Sequence, residues 1–317
     1  MTGPSTPRVL VDCDPGHDDV FAIAVAAQHG EIVGVTTVAG NSPLTNTTRN
    51  ALIAMDLFGL HHVPVHSGSA VPVNGREGRY PEAHGRSGLD GPAPRTPSRT
   101  VDGTDAASFI IDTVRAEEGL WLVPIGPLTN IAHALRRAPD IARRVAGISV
   151  MGGSLTHGNM TSAAEFNIWF DPEAADEVFR AGAPLTMCGL DLTHQVAADG
   201  SFIDALEVHG TDTSRFCAEL MLFYHGYSAR LVHLEGDSAY RHRVPLHDPC
   251  AVMAITHPHL FTVERLHVVV ETAGTHTRGM THADLRPWAD PTQANVNAVV
   301  GARRDEALDV VLAALTR

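Results

Sequence analysis

The residues best suited to chemistry lie between Val9 and Val20, where Asp12, Asp14, Asp18 and Asp19 fall within eight positions at the end of an apolar run. Carboxylates this close repel one another, and taking any of them out of water is costly without a counter-charge. The chain has no lysine, and no arginine lies between Val9 and Thr48. A bound cation is the simplest remedy, and carboxylate oxygens select a hard ion such as Ca²⁺ or Mg²⁺. The stretch is not an EF-hand: Gly16 comes one place early and no glutamate closes the loop.

The elements that must position these groups follow from the pattern around them. Val9 to Cys13 predicts a buried strand, Pro15-Gly16 a turn, and Asp18 opens a helix through Phe21 to Ala27. In open α/β sheets, ligands bind where a strand's carboxyl end meets the next helix, and a helix N-terminus favours the charge of Asp18 and Asp19. An ordinary N-cap accounts for Asp18 or Asp19 alone. It does not account for Asp12 and Asp14 closing an apolar strand.

Further along, strand-like and helical runs alternate. Strands are predicted at 31–38, 62–66, 120–125, 147–151, 185–188, 263–271 and 295–300. Helices are predicted at 45–58 (with Gly59 as its cap), 105–118, after Asn130, and at 172–181, 202–208, 213–234 and 305–315. This alternation implies one α/β domain over residues 1–317, an open and mostly parallel sheet flanked by helices. Residues 71–100, rich in Gly, Pro and Arg, read as a mobile active-site loop or as a disordered excursion.

Composition narrows the partners. A net charge of -13 argues against nucleic-acid polymers and anionic membrane surfaces, but not against a small neutral substrate. The four cysteines are far apart and form no CxxC pair, which suggests a reduced, cytoplasmic protein. Met1 to Pro7 carries no apolar signal-peptide core, and no apolar run has membrane-spanning length. Without lysine, neither a Schiff base nor a P-loop is available.

Several polar residues share one address, just after predicted strands: Asn41, the carbonyls around Ile125, Met151-Gly152-Gly153, then Asn159 and Glu165-Phe166-Asn167, and later His247-Asp248-Pro249. Amides and carboxylates gathered there can hydrogen-bond a polyol. Each also has a plain structural use. Asn41 suits a turn, Glu165 a solvated surface, Asp248 a helix cap, and His247 is one of nineteen histidines.

The motifs DCDPGHDD (12–19), TTVAGN (36–41), HGRSGLDGP (84–92), PIGPLTNI (124–131), MGGS (151–154), GNMTSAAEFN (158–167), DPEAA (171–175) and LHDPCAV (246–252) run through most of the chain. Together they resemble the Ca²⁺-dependent nucleoside hydrolases, the inosine–uridine preferring group. The resemblance implies Ca²⁺ ligation by Asp14, Asp19, Asp248 and the main-chain carbonyl of Ile125, where threonine is usual. It implies that Asp18, Asn41, Asn159, Glu165 and Asn167 hold ribose, with Met151 beside the sugar and Asp12 as buried support. Asp14 would be the catalytic base, and His247 and His84 would attend the leaving base. His17 stands in place of a common aliphatic residue, and Ser154 in place of a common glycine. A homodimer or homotetramer is also implied. With only Trp121, Trp169 and Trp288 available for stacking, and His84 in the loop, the pattern leans toward pyrimidine-preferring or broad specificity. Two rivals remain. A haloacid-dehalogenase-type phosphatase would need a DxDxT continuation and a lysine, and a non-catalytic nucleoside-binding relative would bind without releasing base.

Overall fold

A computed structural model describes residues 6–76 and 78–317; the expectation for Met1 to Pro7 therefore falls largely outside the described residues. Its first strand, β1 (Arg8–Cys13), forms as expected and leads through Pro15-Gly16 into α1 (His17–His29). Five more strands follow: β2 (Glu31–Thr37), β3 (Val65–Ser67), β4 (Trp121–Pro124), β5 (Gly147–Met151) and β6 (Leu185–Cys188). With Val296–Ala302 and Phe261–Leu266 they make one eight-stranded sheet in the order β3-β2-β1-β4-β5-β6-(296–302)-(261–266). All neighbouring pairs are parallel except the last, which is antiparallel. The fold is thus the mostly parallel α/β sheet that the alternation implies.

Helices cover both faces. α1, α2 (Leu44–Leu57) and the helices Asp212–Leu231, Asp248–Thr256 and Arg304–Leu315 contribute to one apolar cluster. α3 (Ala106–Ala116) and α4 (Thr129–Arg137) contribute to the other. α5 (Phe166–Phe170) and α6 (Pro172–Arg180) follow β5, and α6 joins that second cluster.

Strand alternation explains where Asp12 points. Leu10 and Asp12 face one way, while Val9, Val11 and Cys13 face the other. Leu10 belongs to the α3–α4 cluster and the other three to the α1 cluster, so Asp12 is directed at α4. The strand order reverses between β1 and β4, and there the carboxyl ends of neighbouring strands diverge and leave room for a ligand.

Two expectations need adjustment. The run 263–271 is not one strand: the sheet strand ends at Leu266, and Val268–Val270 pairs instead with Thr281–Ala283. Asn295 makes the break, accepting from the Val268 N–H through Oδ1 while its Nδ2 donates to the Val268 carbonyl. The short strand expected at 62–66 lies slightly later, at Val65–Ser67. The described residues of 71–100 contain no helix or strand.

Candidate active site

The acidic turn is fully buried: Asp12, Asp14 and Asp19 are each 0 % exposed and Asp18 is 4 % exposed. Asp19 closes the turn on itself, its Oδ1 accepting from the Asp14 N–H (3.1 Å) and its Oδ2 from the Gly16 N–H (2.9 Å). It therefore caps the helix, as an ordinary acidic first-turn residue would, while standing among other carboxylates. Asn41, just past β2, links the turn to the site. Its backbone N–H donates to Asp14 Oδ2 (2.6 Å) and its Nδ2 to Asp19 Oδ2 (3.3 Å). Asp14 Oδ1 is buried with no hydrogen-bond partner.

From the far end of the chain, Asp248 opens the helix Asp248–Thr256 beside this turn. Asp18, Asp19 and Asp248 each bring a carboxylate oxygen within 4.8 Å of the others. Asp18 also accepts from the His247 N–H at 3.1 Å. Burial, followed by repulsion from neighbouring aspartates, pushes Asp18 up to about 7 and the Asp14 and Asp248 carboxyls well above the carboxylate range. Burial alone pushes Asp19 up to about 6.

These oxygens fit a hard cation. Asp14 Oδ1 is a buried acceptor left unengaged, Asp18, Asp19 and Asp248 gather a carboxylate oxygen each within 4.8 Å of one another, and that group holds no nitrogen or sulfur ligand. Glycines make the space: a Cβ on Gly40 would lie 2.1 Å from Asp14 Oδ2, and one on Gly126 2.5 Å from Asp14 Oδ1.

Asp12 has a different task. Its Oδ1 accepts from Thr36, its registered neighbour on β2 (2.5 Å), and from Asn130 Nδ2 on α4 (2.8 Å). Asn130 also donates to the Thr37 carbonyl and accepts from the Ser69 N–H, so it ties β1, β2 and β3 together at their carboxyl ends. Burial raises Asp12 to about 7.

The remaining expected residues converge on a cavity of about 240 Å³ at this sheet edge. Glu165 caps α5, its carboxylate accepting from the N–H groups of Gly153, Asn167 and Ile168; it is 2 % exposed, and burial raises it to about 7. Asn167 Nδ2 donates to the carbonyls of Ile125 (2.9 Å) and Met151 (3.1 Å), gathering the ends of β4 and β5. Asn159 Oδ1 accepts from the Phe166 N–H. Asp18, Asn41, Met151, Ile125 and Asp248 also line the cavity. Asp14 and Asp19 are joined to that lining through Asn41.

Two imidazoles complete the wall. Burial lowers His247 to about 3 and holds His84 well below the histidine range, so both are neutral at neutral pH. His247 Nδ1 lies 2.8 Å from Thr193 Oγ1, which leaves Nε2 for a ligand. Sequence reading missed Thr193, Asn130, Tyr224 and Tyr227. The two tyrosines line the cavity from the helix Asp212–Leu231, where their helical spacing passes for ordinary core patterning.

Residues 9–309 match the family model described as inosine-uridine preferring nucleoside hydrolase. The chain belongs to the inosine–uridine preferring nucleoside hydrolase family. It is 37% identical over 313 residues to the pyrimidine-specific ribonucleoside hydrolase RihA of Shewanella woodyi, covering 98% of each chain. It is 40% identical over 286 residues to the inosine-uridine preferring nucleoside hydrolase of Crithidia fasciculata, covering 88% of each. Among solved structures, the purine-preferring ribonucleoside hydrolase from Gardnerella vaginalis superposes with a TM-score of 0.89 at 33% identity, covering 98% of each chain. The fold expected from the strand–helix alternation is therefore this family's fold, and the phosphatase alternative falls. Among the described residues no helix is long and apolar enough to cross a membrane, and all four cysteines are free and buried.

Proposed function

We propose that this nucleoside hydrolase cleaves the N-glycosidic bond of ribonucleosides with water, giving ribose and free base, and that Asp14, Asp19, Asp248 and the Ile125 carbonyl hold Ca²⁺. The observation that carries the reading is the unengaged, buried Asp14 Oδ1 among carboxylates, beside a cavity walled by amides at one end and neutral imidazoles at the other. Bound there, the cation supplies Lewis acidity to a water and a fixed point for vicinal sugar hydroxyls.

In this reading Asp14 takes the proton of the water that attacks the anomeric carbon. Asp18, Asn41, Asn159, Glu165 and Asn167 hold the ribose hydroxyls, with Met151 against the sugar. Their fixed positions supply orientation, and the anionic surroundings stabilise positive charge growing on the ring. His247 meets the departing base as a neutral N–H donor from Nε2, and His84 faces the base from the 71–100 segment. That segment closes over the cavity when substrate is bound, a role supported by Pro81, Ala83 and His84 in the lining.

Specificity is pyrimidine-preferring or broad. None of the three tryptophans lines the cavity, and its aromatic groups are Tyr224, Tyr227, His84, His247 and Phe166. The enzyme serves nucleoside salvage in the cytoplasm as a homodimer or homotetramer, as the family resemblance implies. A panel of uridine, cytidine, inosine, adenosine and guanosine, assayed for free base, tests the reading. Release from uridine or cytidine is expected, and binding of all five without release from any would refute catalysis.

A further inference from the structure

The two-stranded ribbon of Val268–Val270 and Thr281–Ala283 stands outside the main sheet. Its Thr281 is 2 % exposed and meets the chain that leaves β5. Thr281 Oγ1 donates to the Ser154 carbonyl (2.6 Å) and accepts from the Ser154 N–H (2.8 Å). A hydroxyl has one hydrogen to give and lone pairs to receive, so one side chain satisfies both backbone polar groups of a buried residue. The contact reaches Gly153 as well. At φ +79° Gly153 takes the left-handed conformation, and a Cβ there would lie 2.9 Å from both Oγ1 and Cγ2 of Thr281.

Gly153 carries this contact to the cavity wall. Its N–H donates to Glu165 Oε2 (3.0 Å), and its carbonyl accepts from the Leu190 N–H (2.9 Å). The Glu165 carboxylate has two other backbone donors, the N–H groups of Asn167 (2.9 Å) and Ile168 (3.2 Å), and both belong to α5. Gly153 lies in a loop, so its N–H is placed by ties from outside. Asp191 fastens that loop through Ser154 Oγ (3.1 Å) and Thr156 Oγ1 (2.6 Å), and leaves the Ser154 backbone to Thr281. The ribbon also holds the α5 side. Gly279, between its two strands, packs so closely that a Cβ would lie 2.9 Å from Trp169 Cα, and Arg278 pairs with Glu173 of α6 (2.7 Å). The ribbon thus touches both backbone segments that grip Glu165.

We infer that Thr281 is a positioning residue: through the Ser154 backbone it sets where the Gly153 N–H meets Glu165, and so how the Glu165 carboxylate faces the ribose end of the cavity. This gives the departure of Val268–Val270 from the sheet a use, since it brings the ribbon to the loop after β5. The consequence for a sugar rests on the nucleoside reading; the placement of Glu165 does not.

Kinetics on uridine with saturating Ca²⁺ compare the unaltered chain with Thr281→Val and Thr281→Ser. Valine keeps the shape and removes both hydrogen bonds, whereas serine keeps both. Thr281→Val should raise KM about tenfold with kcat changed less than threefold, and Thr281→Ser should stay within about twofold in both. In a Glu165→Gln background, Thr281→Val should change KM less than about twofold. A KM for Thr281→Val within twofold of the unaltered value, or an undiminished effect in the Glu165→Gln background, overturns the positioning role. Amide hydrogen exchange, followed by NMR with Ca²⁺ and without nucleoside, needs no turnover. Thr281→Val should speed exchange at Gly153 and Ser154 at least tenfold. Val35, in β2 and three strands from β5, should stay within twofold, its N–H bonded to the Pro64 carbonyl. Unchanged exchange at Gly153 overturns the inference whether or not any nucleoside is cleaved. Equal acceleration at Val35, or a Thr281→Val chain that does not fold, shows a purely structural role and overturns it too. The expected exchange in a protein that releases no base supports the placement of Glu165 and refutes the nucleoside reading.

Discussion

Gly126 follows the candidate ligand carbonyl of Ile125, and its place beside Asp14 makes Gly126→Ala an informative perturbation. Its backbone is not in the left-handed region, so alanine is conformationally allowed and only contact is at issue. The new Cβ would stand 2.5 Å from Asp14 Oδ1 and 2.9 Å from its Cγ, against ordinary contact from 3.4 Å. The Asp14 carboxylate or the 125–126 backbone must therefore move by about 0.9 Å, and both belong to the proposed cation site. Misplacing a reacting group by roughly 1 Å costs on the order of 10²-fold in rate. Overpacking of this kind typically costs about 1–3 kcal/mol of stability. Base release from uridine under saturating Ca²⁺ should fall about 100-fold, with urea denaturation showing a folded protein. Gly301→Ala, whose Cβ would meet Thr262 at 3.3 Å far along the sheet, should change activity less than twofold. Activity within threefold of the unaltered enzyme in Gly126→Ala would refute the placement of Asp14 at the reacting centre.

Acidification should weaken Ca²⁺ binding. Raised carboxyls hold protons in the metal-free protein, so proton and cation compete for the same oxygens. With the proposed ligands Asp19 at about 6 and Asp14 and Asp248 held well above the carboxylate range, the dissociation constant should rise by more than about tenfold from pH 7.5 to 5.5 by calorimetry; a constant value would contradict this competition. Asn130→Ala leaves the Asp12 carboxylate, the Thr37 carbonyl and the Ser69 N–H each short of a buried partner. At about 1 kcal/mol or more per orphaned group, the loss should be about 3 kcal/mol in urea melts. His247→Ala should lower kcat on uridine about 10²-fold, and a change below threefold would assign the leaving-base contact to another group.

Most of the sheet was legible because β1 to β6 are short apolar runs punctuated by Gly, Pro and Asn at the turns. The acidic turn was legible because charge ending an apolar strand is physically expensive. What stayed hidden depends on contacts between distant elements. Asn130 reads as one more polar residue at a helix start, and only the direction of Asp12 off β1 reveals its purpose. Thr193 sits 54 residues from the histidine it holds. α5 escaped notice because five residues carry too little periodicity; its signal was the Glu165 cap. The break at His267 is made by Asn295, so no local pattern marks it.

The central claim is that the acidic turn holds a divalent cation on which ribonucleoside cleavage depends. The most direct test is ribose release from uridine by protein stripped with EGTA, verified metal-free by elemental analysis, before and after Ca²⁺ is returned. The account predicts that activity disappears on stripping and recovers on adding Ca²⁺. Undiminished release of ribose by the verified metal-free protein would contradict it.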